Sequence, residues 1–249
     1  SKEEEEGAFK AKYLNNDLLE TPELALAAAW QEVLRLGEIA GDMVRRSVDV
    51  FGTDAEDARE WMRARAQEID WLSNDLRGYY IRLSQKNLGL MQSREKQGHM
   101  SIVDDIRQFA DYLGDEVVDR ATNLAEQNAD FSEQGRMELE EYRDFTVELH
   151  MRTMVAMRER DQEIADAVRQ MKDDGEDHER RLRSSHLVRL DAGVSETIAT
   201  STAHMDLLSG FRQIGRHHFR ICRMLNDFLK VPQRRTNPVE EPAESKEAA

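Results

Sequence analysis

The sequence predicts an all-α protein built as two tandem three-helix bundles, and three observations carry that expectation. Between Pro22 and Pro232 no proline interrupts the chain. Over the same span Ala, Leu, Glu, Arg, Met and Gln dominate, all good helix formers. The third observation is an internal repeat. The segment Phe109-Ala110-Asp111-Tyr112-Leu113-Gly114-Asp115-Glu116-Val117-Val118-Asp119 lies on Gly210-Phe211-Arg212-Gln213-Ile214-Gly215-Arg216-His217-His218-Phe219-Arg220, with Leu113-Gly114 over Ile214-Gly215. In that register Asp111, Asp115 and Asp119 are replaced by Arg212, Arg216 and Arg220. At a spacing of four, each triplet makes one charged stripe along a helix. A duplication whose two copies diverged in chemistry explains the pattern.

Each element follows in order. Residues 1–20 are acidic and weakly patterned and read as a linker. Thr21-Pro22-Glu23 is a helix start, with Thr as N-cap, Pro at the first position and a carboxylate in the first turn. Leu26, Trp30, Val33, Gly37, Ala40, Val44 and Val48 then recur at helical spacing until Gly52-Thr53-Asp54. A second helix carries Ala58, Met62, Ile69, Leu72, Leu76, Tyr79 and Leu83. A third, from about Ser101, carries Ile102, Ile106, Phe109, Leu113, Val117 and Leu124, and closes a first repeat over 21–130. The second repeat, 131–230, opens with a helix from Met137 to Asp161 that runs on to Met171, with a break or kink at Asp173-Asp174-Gly175. His186-Leu187-Val188-Arg189-Leu190 echoes Tyr79-Tyr80-Ile81-Arg82-Leu83, and Gly193-Val194-Ser195 leads into a last helix bearing Leu207, Phe211, Ile214, Ile221, Leu225 and Phe228. The Pro-, Glu-, Ser- and Ala-rich stretch 231–249 reads as a disordered tail.

Composition narrows the function. A net charge of -15 repels a phosphate backbone and argues against nucleic-acid binding. The single cysteine, Cys222, excludes an intrachain disulfide, fits a reducing compartment and reads as a core residue. No apolar run approaches the roughly 18 residues of a membrane span. A carboxylate-bridged di-iron enzyme would need Glu-x-x-His pairs, yet none of the seven histidines has an acidic residue three positions before it. No phosphate-cradling loop, nucleophile elbow or zinc spacing is present, so no catalytic residue is assigned.

Glu20-Thr21-Pro22-Glu23-Leu24-Ala25-Leu26 and Glu32-Val33-Leu34-Arg35-Leu36-Gly37 resemble the start of the PhoU-like domain of bacterial sodium/phosphate cotransporter-related proteins. Leu113-Gly114-Asp115, Asn123-Leu124-Ala125-Glu126, His186-Leu187-Val188-Arg189-Leu190 and Glu196-Thr197 to His204-Met205-Asp206-Leu207-Leu208 extend the resemblance over about Lys12 to Asn226. It implies two three-helix bundles related by a pseudo-twofold, on the cytoplasmic face of the inner membrane, regulating phosphate uptake beside or within a sodium-dependent transporter. The chain itself would be soluble and the transporter's membrane domain its partner, with a homodimer as a further option. The family's metal clusters, held by Glu/Asp-x-x-x-Asp motifs in each half, have a counterpart here in Asp111 and Asp115. The preceding acidic position is Phe109, and Gly210, Arg212 and Arg216 stand at the matching places of the second half.

The residues themselves leave alternatives open. Asp111, Asp115 and Asp119 could hold a divalent or iron-type cation, pair with a basic stripe, or form a solvated face. Arg212, Arg216, Arg220 and Arg223, with His217 and His218, make the one dense basic patch. They could complement a helix C-terminus, dock an acidic partner, or bind phosphate. The leading expectation is a non-enzymatic regulatory domain that docks through these stripes. Its alternative is a metal-binding sensor or scaffold using the first-repeat carboxylates.

Overall fold

A computed structural model describes residues 10–229, so the expected tail at 231–249 and the first nine residues lie outside the described part. A short 3-10 helix at Asn16–Glu20 precedes α1 (Pro22–Arg45), α2 (Glu56–Leu83) and α3 (Leu90–Asp111). A π turn at Tyr112–Val117 joins α3 to α4 (Val118–Glu126). The second half holds α5 (Glu133–Glu159), α6 (Gln162–Gln170), α7 (Lys172–Asp191) and α8 (Ser195–Leu229). Among the described residues there is no strand, and no helix is long and apolar enough to cross a membrane.

Three boundaries differ from the sequence expectation, each for a local reason. The α3 helix begins at Leu90 instead of near Ser101, because the Gln92 side chain accepts the Gly89 amide at 2.8 Å and closes the first turn over a polar stretch. The long helix from Met137 does not reach Met171. It stops where Arg160 turns left-handed, at φ 53°, and Asp161 caps a new helix by accepting the amides of Glu163 (2.8 Å) and Ile164 (3.0 Å). The break expected at Asp173-Asp174-Gly175 falls one turn earlier, at Met171, so both aspartates occupy the first turn of α7, where they suit the helix dipole. At α1, Pro22 and Glu23 sit as expected, but Thr21 makes no side-chain cap bond. Residues 10–20 lie against the bundle. The buried Glu32 carboxylate accepts the amides of Lys12 (2.8 Å) and Tyr13 (3.0 Å), and Tyr79 Oη donates to the Asn15 carbonyl (2.9 Å).

The apolar stripes of all eight helices meet in one continuous core. Two antiparallel helix pairs join the halves, α1 with α5 and α3 with α8. Small residues allow the second pair to approach closely. At Gly98 an added Cβ would run into the Phe228 ring, and at Gly210 into the Tyr112 ring. Gly98→Ala should therefore destabilise the protein. Overpacking costs about 1–3 kcal/mol, against about 1 kcal/mol gained in helix propensity. Urea unfolding checks this, and equal or higher stability would contradict it.

Candidate functional site

The two charged stripes were read as a possible pair, but the antiparallel packing of α3 and α8 sends them to different partners. Asp105, buried on α3, accepts from Arg220 Nε at 2.9 Å and faces His217 Nδ1 at 2.8 Å. Arg212 stands 3.0 Å from the buried Glu179 of α7, which also binds Arg183 at 2.8 Å. Two of the four arginines are thus committed inside the molecule. Arg216 is exposed and donates to Gln213, 3.5 Å away on its own helix. Arg223 is exposed as well. His218 belongs to the core instead of the patch.

A small apolar recess opens beside Arg216, between α5, α7 and α8. Tyr142, Phe145, Leu149 and Phe211 line it, and Lys172 and Arg216 stand at its rim. Glu176 also lines it and stands 3.7 Å from Lys172, so Arg216 is the cation at this aromatic floor that could receive an acidic segment.

The aspartate stripe is divided by the π turn, which adds a residue to one helical turn and disturbs the i, i+4 register. Asp111 is half-buried, and Arg107 Nη1 donates to it at 3.1 Å. Burial raises the Asp111 carboxyl above its usual range, and Arg107 partly opposes that. Asp119 pairs with Arg63 at 3.1 Å, and Asp115 is exposed. Other carboxylates do cross between repeats, among them Asp105, which meets Arg220, and Asp206, 2.6 Å from Arg120. Among the described residues no three His, Cys, Asp or Glu side chains come together as a metal would require. With guanidinium groups beside Asp111 and Asp119, the stripe does not fit a metal cluster.

Sequence reasoning missed the buried imidazoles. His218 Nδ1 lies 2.7 Å from the Ile214 carbonyl, so that nitrogen carries the proton and donates. His218 Nε2 is then an acceptor, and His150 Nδ1, 2.8 Å away, donates to it. Burial lowers both, His150 to about 4 and His218 to about 3. His204 stacks on His186 with ring centroids 4.5 Å apart, and burial lowers it to about 4. Beside it the buried Glu138 accepts from Arg189 at 2.5 and 2.8 Å and from Ser185 at 2.5 Å. Burial pushes the Glu138 carboxyl up, and the bonds from Arg189 and Ser185 outweigh it, leaving the carboxyl below its usual range. Each histidine sits at a core position of its helix, which is the one signal that could have marked it. Cys222 is also buried, and that burial raises its thiol to about 12.

These features describe a helical bundle with exposed cations at Arg216 and Arg223 of α8. Residues 33–127 match the family model described as PhoU domain. Two relatives designated candidate inorganic phosphate export proteins YjbB are similar over 227 residues, or 90% of this chain: one from Salmonella typhimurium at 27% identity and one from Escherichia coli K12 at 26%. The chain spans 40% of the length of each. Crystal structures of PhoU from Pseudomonas aeruginosa and of the phosphate transport system regulatory protein PhoU from Streptococcus pneumoniae share the fold. Their TM-scores are 0.73 and 0.72 at 16% and 15% identity, covering 82% and 84% of this chain and 96% and 97% of theirs. Residues 33–127 are thus similar to a PhoU domain, and the bundle has the fold of the PhoU structures.

Proposed function

We propose that this chain is a non-enzymatic regulatory domain that controls phosphate movement by docking on the membrane region of a sodium-dependent phosphate transporter, at its cytoplasmic face. The observation that carries the reading is the division of the arginine stripe. Arg212 and Arg220 are held by buried carboxylates, while Arg216 points outward beside an aromatic recess and Arg223 is exposed further along the same helix, on a protein of net charge -15. An acidic partner surface would complement those two cations and steer association. The similarity to longer proteins designated for phosphate export supports phosphate as the transported ion and leaves room in such chains for a separate membrane region. The metal-sensor reading on Asp111, Asp115 and Asp119 is the weaker one, because those side chains do not converge.

Arg216→Glu with Arg223→Glu tests the proposal without disturbing a buried pair. Arg212→Glu would instead set a new carboxylate against Glu179 and confound docking with folding. In cells carrying the transporter, the double variant is expected to lose control of phosphate flux while the bundle stays folded. Flux indistinguishable from wild type would overturn the docking surface.

A further inference from the structure

We propose that α7 is a displaceable strap: it swings off α5 and α8 as a unit while the rest of the bundle stays folded, and uncovers the aromatic groove beneath it. Of its 20 residues only Gly175, Glu179, Leu182 and His186 are buried, so Leu182 is the single large apolar side chain it buries in the core. Its sequence counterpart is α2, which ends in Tyr79-Tyr80-Ile81-Arg82-Leu83 where α7 has His186-Leu187-Val188-Arg189-Leu190. That helix buries Met62, Ile69, Leu72, Leu76, Tyr79 and Leu83. In α7, Leu187 and Val188 face solvent instead, 51% and 69% exposed. Apolar burial, the main force that fixes a helix on a bundle, is therefore small here.

Polar contacts hold α7 in place. Glu138 of α5 accepts from Ser185 and Arg189, both on α7. Arg212 of α8 meets Glu179, Arg183 donates to Ser209 Oγ at 2.5 Å, and His186 Nε2 lies 2.9 Å from Ser201 Oγ. From α5, Tyr142 Oη donates to the Gly175 carbonyl at 3.1 Å. Water replaces each of these bonds when the helix lifts, and Glu138 and Arg189 regain the solvation they gave up. Both ends of α7 can pivot. One residue, Met171, separates it from α6. At the other end Gly193, with φ 74°, leads into α8, and open space surrounds the position its Cβ would take.

Beneath α7 lie the aromatic side chains of the recess at Arg216. Gly175 packs on Phe145, and the His178 ring stacks on the same side chain with centroids 4.8 Å apart. Tyr142 and Phe211 are buried beside them, their ring centroids 5.6 Å apart. Lifting α7 turns the small recess into an open groove between α5 and α8, with Arg216 at its edge and Arg212 released from Glu179. A role for this opening in docking rests on the reading above. The movement itself is measured on the chain alone, so the two fail separately.

Native-state hydrogen exchange of the full chain, followed by mass spectrometry in low urea, tests the strap. Amides of α7 are expected to exchange about a hundredfold or more faster than those of α2. They should do so through one shared opening whose urea dependence is smaller than that of global unfolding. Ile69→Ala, in the core of the first bundle, should speed exchange of α2 by about tenfold or more and leave α7 unchanged. Leu182→Ala should speed α7 by a similar factor. The wild-type urea series stands alone if either variant fails to fold. Three outcomes would each overturn the strap: α7 and α2 sharing one opening free energy and urea dependence, an α7 rate that rises with Ile69→Ala, or an α7 rate unmoved by Leu182→Ala.

Discussion

Unfolding at about pH 5.5 is expected to require roughly 3 to 4 kcal/mol less than at about pH 7. The cause is three imidazoles held neutral in the core. Burial is the main reason His150, His204 and His218 stay unprotonated until about pH 4, 4 and 3, and a neighbouring histidine adds to it for His204 and His218. In the unfolded chain each takes a proton near pH 6.5. Below that value the unfolded state binds more protons than the folded one, so stability is complete above it and falls as the pH drops toward the folded values. A charged His150–His218 pair would also set two donors against each other across 2.8 Å. Urea unfolding at both pH values measures the effect, and a flat profile would mean that these side chains reach water in the folded state.

Glu138→Ala should cost about 3–5 kcal/mol, the usual consequence of leaving one member of a buried ion pair behind. Arg189, 13% exposed, would keep its guanidinium in the core without a carboxylate, and Ser185 would lose its acceptor. Adding Arg189→Leu should restore part of the loss, because the double variant removes both charges. If the single substitution costs less than about 1 kcal/mol, the pair is open to solvent and contributes as a surface pair would.

The fold was largely legible because helices announce themselves by spacing. Of the residues chosen on periodicity alone, Met62, Ile69, Leu72, Leu76, Tyr79 and Leu83 are buried along one face of α2 and Ala58 is partly buried. What spacing does not carry is the local hydrogen bond that ends a turn. Arg160 adopts a left-handed conformation that a sequence reader would have given to glycine, while Gly175, the apparent breaker, lies buried inside α7 against Phe145. The charged stripes were legible as stripes, but not in their pairing. Asp105 looked like one more acid, and only the antiparallel packing of α3 on α8 brings it to Arg220 and His217, more than a hundred residues away. For the same reason Arg212, Arg216, Arg220 and Arg223 read as one patch, while the structure divides them into two internal ties and two outward cations.

The most direct test of the docking account is a binding measurement between this chain and the detergent-solubilised membrane region of the transporter. The wild-type chain should bind in a salt-sensitive way, and Arg216→Glu with Arg223→Glu should weaken that binding by about tenfold or more. Equal affinity of the two proteins, or no binding by either, would contradict it.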